Sequence, residues 1–241
     1  GRRQLSLFPA SEIQASSFQQ YKQVIDESQL SRDIEKTKLI KTVGSRIQLA
    51  VEEYLKANNG ASIIEGFQWE FNLIESDQVN AWCMPGGKVA FYTGILPICK
   101  DEAGIAVVMG HEVAHAIAGH GGERMSQQVL AQAGQVGLSL ATMNENPEMQ
   151  SIYMTAFGLG TQFGALLPFS RKHESEADEM GLIFMAMAGY DPQQAPLFWQ
   201  RMSNLGGQKP PEFTSTHPSD QRRISDLNKH MSKALKYYKP Q

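Results

Sequence analysis

His111-Glu112-Val113-Ala114-His115 is an HExxH pentapeptide, the pattern that metal-activated hydrolysis asks of a helix. At about 100° per residue, side chains four apart share a face, so His111 and His115 present two imidazoles to one ion. Glu112 lies about a quarter-turn round. From there its carboxylate reaches the water that such an ion activates rather than the ion itself, which is the position of a general base.

A catalytic zinc ion needs three protein ligands and an open position. An HExxHxxGxxH continuation would supply the third histidine, but its last two positions are occupied here by Ala118 and Gly121. His120 is one residue out of register, and in an unbroken helix it points away from His111, so it is expected to be structural or to support a ligand. The third ligand is therefore sought on another helix. Ser170-Arg171-Lys172-His173-Glu174-Ser175-Glu176-Ala177-Asp178 offers it. Glu174 and Asp178 are four apart on one face. The first can bind the ion while the second accepts the spare N–H of a ligand histidine and fixes its tautomer.

The elements that hold these residues follow from periodicity. Apolar residues recur at helical spacing over 11–28 and 31–58, with Ser31 as the expected N-cap of the second helix and Asn58-Asn59-Gly60 as its stop. Phe67, Trp69, Phe71 and Leu73 alternate with polar residues, predicting a half-buried strand, and Pro85-Gly86-Gly87 turns into a second strand over 88–92. Residues 103–119 carry the HExxH helix behind Asp101 and Glu102. Two stretches, 126–142 and 150–170, contain no charged residue. Their glutamines and small residues favour a packed helical hairpin, or a flap over the site, rather than a pair of membrane spans. Helices are expected over 173–188, over 192–205 behind Asp191, and from Pro218 to about Tyr237. The implied fold class is a mostly helical α+β protein, with N-terminal helices over 1–60 packing on a domain over 61–241.

HEVAH, followed by SRKHESEAD, with NAWCMPGGKVAFYTGIL before both and STHPSDQRRI after, resembles the gluzincin zinc metallopeptidases of the HtpX, BepA and CAAX prenyl protease type. The resemblance covers about residues 63–227. It implies a zincin-type domain with one zinc ion per chain, held by His111, His115 and Glu174, with Glu112 as base and Asp178 orienting a ligand histidine. His217 corresponds to a family histidine near the metal, there either to stabilise the oxyanion or to occupy the open position and hold the enzyme latent. Arg222, one turn beyond Pro218, is expected to pair with Glu176 or another carboxylate of the site. Asn80-Ala81 and the segment over 86–93, with Gly86, Gly87 and Lys88, look like the family's edge strand, onto which an extended polypeptide substrate adds as one more strand.

With 25 acidic and 22 basic residues the net charge is −3, which gives no electrostatic reason to expect nucleic acid as a partner. Cys83 and Cys99 are too few for a zinc module of their own, and free thiols are preferred to a disulfide. No transmembrane segment is expected. The opening GRRQLSLFP looks like the start of mature exported members, which implies a periplasmic or outer-membrane-associated address with room for a lipid anchor upstream of Gly1. The expected reaction is hydrolysis of peptide bonds in unfolded or misfolded envelope proteins. The alternative is a latent metal-bound chaperone or binding protein whose zinc site is closed by His217.

Overall fold

The computed structural model describes residues 4–205, 212–217 and 221–240. Helix α1 (Ala10–Glu27) lies near the sheet, and α2 (Ile34–Ala57) enters the core through Ile40, Val43, Ile47, Val51 and Leu55. Asp33, not Ser31, caps α2, its carboxylate accepting from the Lys36 N–H at 3.0 Å. Ser31 is committed elsewhere: its N–H donates to the Leu73 carbonyl at 2.8 Å, beside a bridge between Leu30 and Ile74.

Three strands follow: β1 (Glu70–Ile74), β2 (Ala81–Met84) and β3 (Lys88–Tyr92). Their spatial order is β1-β3-β2, with β1 parallel and β2 antiparallel to β3. Val89, Ala90 and Phe91 are wholly buried, as an uninterrupted apolar run on a strand covered on both faces requires. The expectation that 86–93 forms the edge is corrected by this order. β3 is central, and β2 is an edge. Gly86 and Gly87, both at positive φ, turn β2 into β3 and accept from the Gln68 and Glu70 N–H groups at 2.8 and 3.0 Å. The Lys88 amine is 3.0 Å from the Glu70 carboxylate, and the residue is buried.

Past the short α3 (Leu96–Cys99), α4 (Glu102–Ile117) runs through the middle of the molecule. Asp101 caps it, accepting from the Gly104 N–H at 2.9 Å. Nearly every side chain of α4 is buried, the behaviour of a helix apolar all round. It ends at Ala118, and Gly119 follows at φ +69°. The chain then forms α5 (His120–Ala141) and α6 (Pro147–Thr161), and a π-helical turn (Gln162–Leu166) leads into α7 (Leu167–Met187). The two uncharged stretches thus form helices that pack on each other, and among the described residues no helix is long and apolar enough to cross a membrane. Helices α8 (Gln194–Ser203), α9 (Glu212–Thr216) and α10 (Gln221–Ala234) complete the described structure; the expected helix start at Pro218 lies outside the described residues. Cys83 and Cys99 are free thiols.

Helix α4 crosses α7 in close contact. A Cβ placed on Gly110 would stand 2.9 Å from the Gly181 carbonyl oxygen, and one on Gly181 would stand 3.0 Å from the His111 nitrogen. Two glycines facing each other let the backbones approach, and this brings the HExxH face of α4 onto the acidic face of α7.

Candidate metal centre

His111 and His115 project from one side of α4, and Glu174 from α7 meets them. His111 Nε2 lies 3.1 Å from His115 Nε2 and 3.3 Å from Glu174 Oε2, and His115 Nε2 lies 3.2 Å from Glu174 Oε1. His217, at the end of α9, places Nδ1 3.1 Å from His111 Nε2 and 3.0 Å from Glu174 Oε2. One donor atom from each of the four lies within 4.8 Å of the others. For ligand bonds of about 2.0–2.1 Å, the corners of a zinc tetrahedron are about 3.3–3.4 Å apart. Donor separations of 3.0–3.3 Å among two imidazoles, a carboxylate and a third imidazole therefore fit such an ion in chemistry and in size. Glu112, 4% exposed, supports the same reading, because its Oε1 is buried without a hydrogen bond, 3.4 Å from His217 Nε2.

The outer nitrogens are held as well. Asp178 Oδ1 is 2.9 Å from His111 Nδ1, so His111 donates there and turns Nε2 toward the cluster. Asp178 also accepts from Arg223 Nη2 at 2.6 Å, while Arg223 Nη1 stands 3.2 Å from Glu174 Oε2. The guanidinium lies on the face of Trp199, 3.4 Å from the ring centroid, a stack that suits arginine's planar, weakly hydrated cation. Arg222, the arginine expected here, is on the other side of α10. Its side chain is 76% exposed and, among the described residues, it stands 3.8 Å from the Asp226 carboxylate. The phase of α10 explains the difference: Arg223 shares its buried face with Leu227 four residues on, while Arg222 shares an exposed one with Asp226.

Burial works against a charge on Glu174, but hydrogen bonds from His111, His115 and His217 outweigh it and hold the carboxyl well below its usual range. For His111, burial and the Arg223 cation press downward, yet the bonds to Asp178 and Glu174 prevail and lift it to about 9. His115 is driven down to about 3, chiefly by burial. Burial raises Glu112.

His120 does not point away. The helix break at Ala118-Gly119 folds its ring back onto His115, with Nδ1 atoms 2.9 Å apart. His173 stacks on it and reaches Glu123. Neither arrangement was visible in a pattern that assumed one unbroken helix. At the sheet edge, Asn80 Oδ1 accepts from the Ala81 N–H at 2.9 Å, and the Asn80 carbonyl accepts from Tyr92 at 3.1 Å. Alternation then turns the backbone polar groups of Ala81 and Cys83 away from β3. Of the expected substrate contacts, Asn80 and Ala81 belong to this edge, whereas Gly86, Gly87 and Lys88 serve the interior of the sheet.

Residues 45–231 match the family described as Peptidase family M48. The chain is 38% identical over 188 residues to the mitochondrial metalloendopeptidase OMA1 of Schizosaccharomyces pombe, covering 77% of this chain and 53% of that one. It is 36% identical over 195 residues to the OMA1 of Arabidopsis thaliana, covering 80% and 38%. It is also 30% identical over 164 residues to the beta-barrel assembly-enhancing protease of Escherichia coli, covering 66% and 33%. The chain spans about half or less of the length of these relatives. The periplasmic or outer-membrane address is corrected by them, since the OMA1 relatives from fission yeast, plant, budding yeast and human are mitochondrial. An address resides in sorting signals, which the resemblance of a nine-residue opening does not supply. With the family match running over residues 45–231, most of its length, the chain belongs to peptidase family M48.

Proposed function

We propose that the chain is a zinc-dependent endopeptidase acting on unfolded or misfolded polypeptides, as protein quality control requires. The observation that carries this is the set of His111, His115 and Glu174 donors at tetrahedral spacing beside Glu112, whose Oε1 is buried without a hydrogen bond. Bound there, zinc would supply Lewis acidity that polarises a scissile carbonyl and eases ionisation of water. Glu112 Oε1 takes the proton from the attacking water and delivers it to the leaving amine. Asp178 holds His111 in the tautomer that frees Nε2, and Arg223 holds Asp178 and Glu174. The outward Ala81 carbonyl and the outward backbone groups of Cys83 on β2 bind an extended chain by strand addition, which selects backbone rather than side-chain chemistry and suits unfolded substrates. An edge strand recognises amides, so a peptide is favoured over other hydrolysable substrates.

A second reading is supported by one observation: His217 Nδ1 occupies the fourth corner of the donor set. In this state the site is closed, and the chain binds metal without turnover until His217 leaves. The test is cleavage of casein by the zinc-loaded chain beside Glu112→Gln and His217→Ala. Cleavage by the parent, lost in Glu112→Gln with zinc retained, supports the peptidase; equal cleavage by both refutes Glu112 as base. Faster cleavage by His217→Ala supports the closed state, and slower cleavage assigns His217 to the oxyanion.

A further inference from the structure

We propose that His120 is a positioning residue for His115, the counterpart on the second ligand of what Asp178 is on the first. The proposal rests on the zinc reading above. His115 Nε2 faces His111 and Glu174. If Nε2 gives its lone pair to a metal, the ring's hydrogen sits on Nδ1, and Nδ1 must donate. Its partner is His120 Nδ1 at 2.9 Å, which therefore accepts and carries its own hydrogen on Nε2. That nitrogen is 3.2 Å from Glu176 Oε2, which accepts. A single arrangement of protons satisfies every link from His115 through His120 to Glu176, and it leaves His120 neutral.

The surroundings fix the ring as well as the proton. His120 is 1% exposed, and it stacks on His173 with centroids 4.3 Å apart and planes at 19°. His173 Nε2 lies 3.0 Å from Glu123 Oε2 on α5. Gly119, at φ +69°, is what turns His120 back. Few other residues adopt that conformation without strain, so the break in the helix and the placing of His120 are one device.

The test measures zinc affinity by chelator competition, the visible spectrum of the cobalt-substituted protein and the Tm of the metal-free protein. His120→Phe keeps a ring against His173 and removes the acceptor, His120→Leu removes both, and His120→Asn places an oxygen near Nδ1. Second-sphere partners of this kind are worth about 10–100-fold in metal affinity. Phe and Leu are expected to weaken zinc by that factor and shift the cobalt bands, while Asn stays within about threefold of the parent. Parental affinity and spectrum in Phe or Leu overturn the proposal, as does an Asn variant as weak as Phe at unchanged metal-free Tm. If neither Phe nor Leu folds, Asn alone decides: affinity near the parent supports the role, and a loss of about tenfold or more overturns it. His115→Ala keeps the two readings apart. Should it abolish zinc binding while the His120 variants bind zinc like the parent, only the positioning role falls; a parent that binds no zinc overturns the metal centre itself.

Discussion

Gly110→Ala tests whether the contact between α4 and α7 sets the metal centre. The added Cβ would stand 2.9 Å from the Gly181 carbonyl oxygen. This is backbone on backbone, so relief requires the helices to part by about half an ångström, an overpacking that costs ~1–3 kcal/mol. Alanine returns ~1 kcal/mol of helix propensity, leaving a net loss of about 0–2 kcal/mol, or a Tm lower by up to about 8 °C for a domain of this size. The larger effect falls on the site. Glu174 lies two turns before Gly181 on α7, while His111 is next to Gly110, so the same half ångström enters the spacing of the ligands. Metal distances tolerate about 0.2 Å, and zinc affinity is expected to fall about tenfold or more, a loss of the size seen when a site's support is disturbed. Gly137→Ala on α5 is the control, since a Cβ there meets no atom within 4 Å; it should gain about 0.5–1 kcal/mol and leave zinc unchanged. Thermal unfolding and chelator competition on the three proteins decide. If Gly110→Ala gains stability as Gly137→Ala does and binds zinc like the parent, the two-glycine contact does not set the site.

Arg223→Met leaves Asp178 and Glu174 without their shared cation in a buried setting, which is expected to cost ~3–5 kcal/mol and lower Tm by more than about 6 °C. Arg222→Met, on the exposed face, should stay within about 0.5 kcal/mol, and equal losses in the two variants would contradict the placement of Arg223. Removing zinc from protein kept at about 1,000 times its dissociation constant should cost ~4 kcal/mol of stability, read as a Tm lower by about 8–16 °C. In His115→Ala that difference should vanish, and if it persists the ion is held elsewhere.

The meeting of His111, His115 and Glu174 was legible because these residues stand at fixed spacing on two helices. His111 and His115 are four apart, as are Glu174 and Asp178, and each pair needs only an intact helix to share a face. What the sequence left unread depends on where a helix stops or how it is turned. The HExxH periodicity runs on through 119 and puts His120 opposite the site; one residue at φ +69° reverses that placement. Gly119 was the available signal, because a glycine just past a helix end is the usual left-handed terminator. The sheet order was hidden for another reason. The turn at Pro85-Gly86-Gly87 announces a hairpin, but β1 joins β3 in parallel across intervening chain, a pairing that leaves no local trace.

Arg222 and Arg223 show how much depends on phase. Both are arginines in the first turn of the same helix, and their types carry no preference for one over the other. Leu227 decides it: four residues after Arg223, it is 2% exposed and fixes which side of α10 faces α7 and α8. With that phase set, a guanidinium at 223 meets Trp199, Asp178 and Glu174 together, whereas at 222 it meets water and a distant Asp226. A buried arginine needs both its carboxylates and its aromatic face to offset the loss of water. The cation buried against Asp178 and Glu174 is thus chosen by an apolar residue one turn away, and shifting the Leu227 position by one residue would exchange the two arginines.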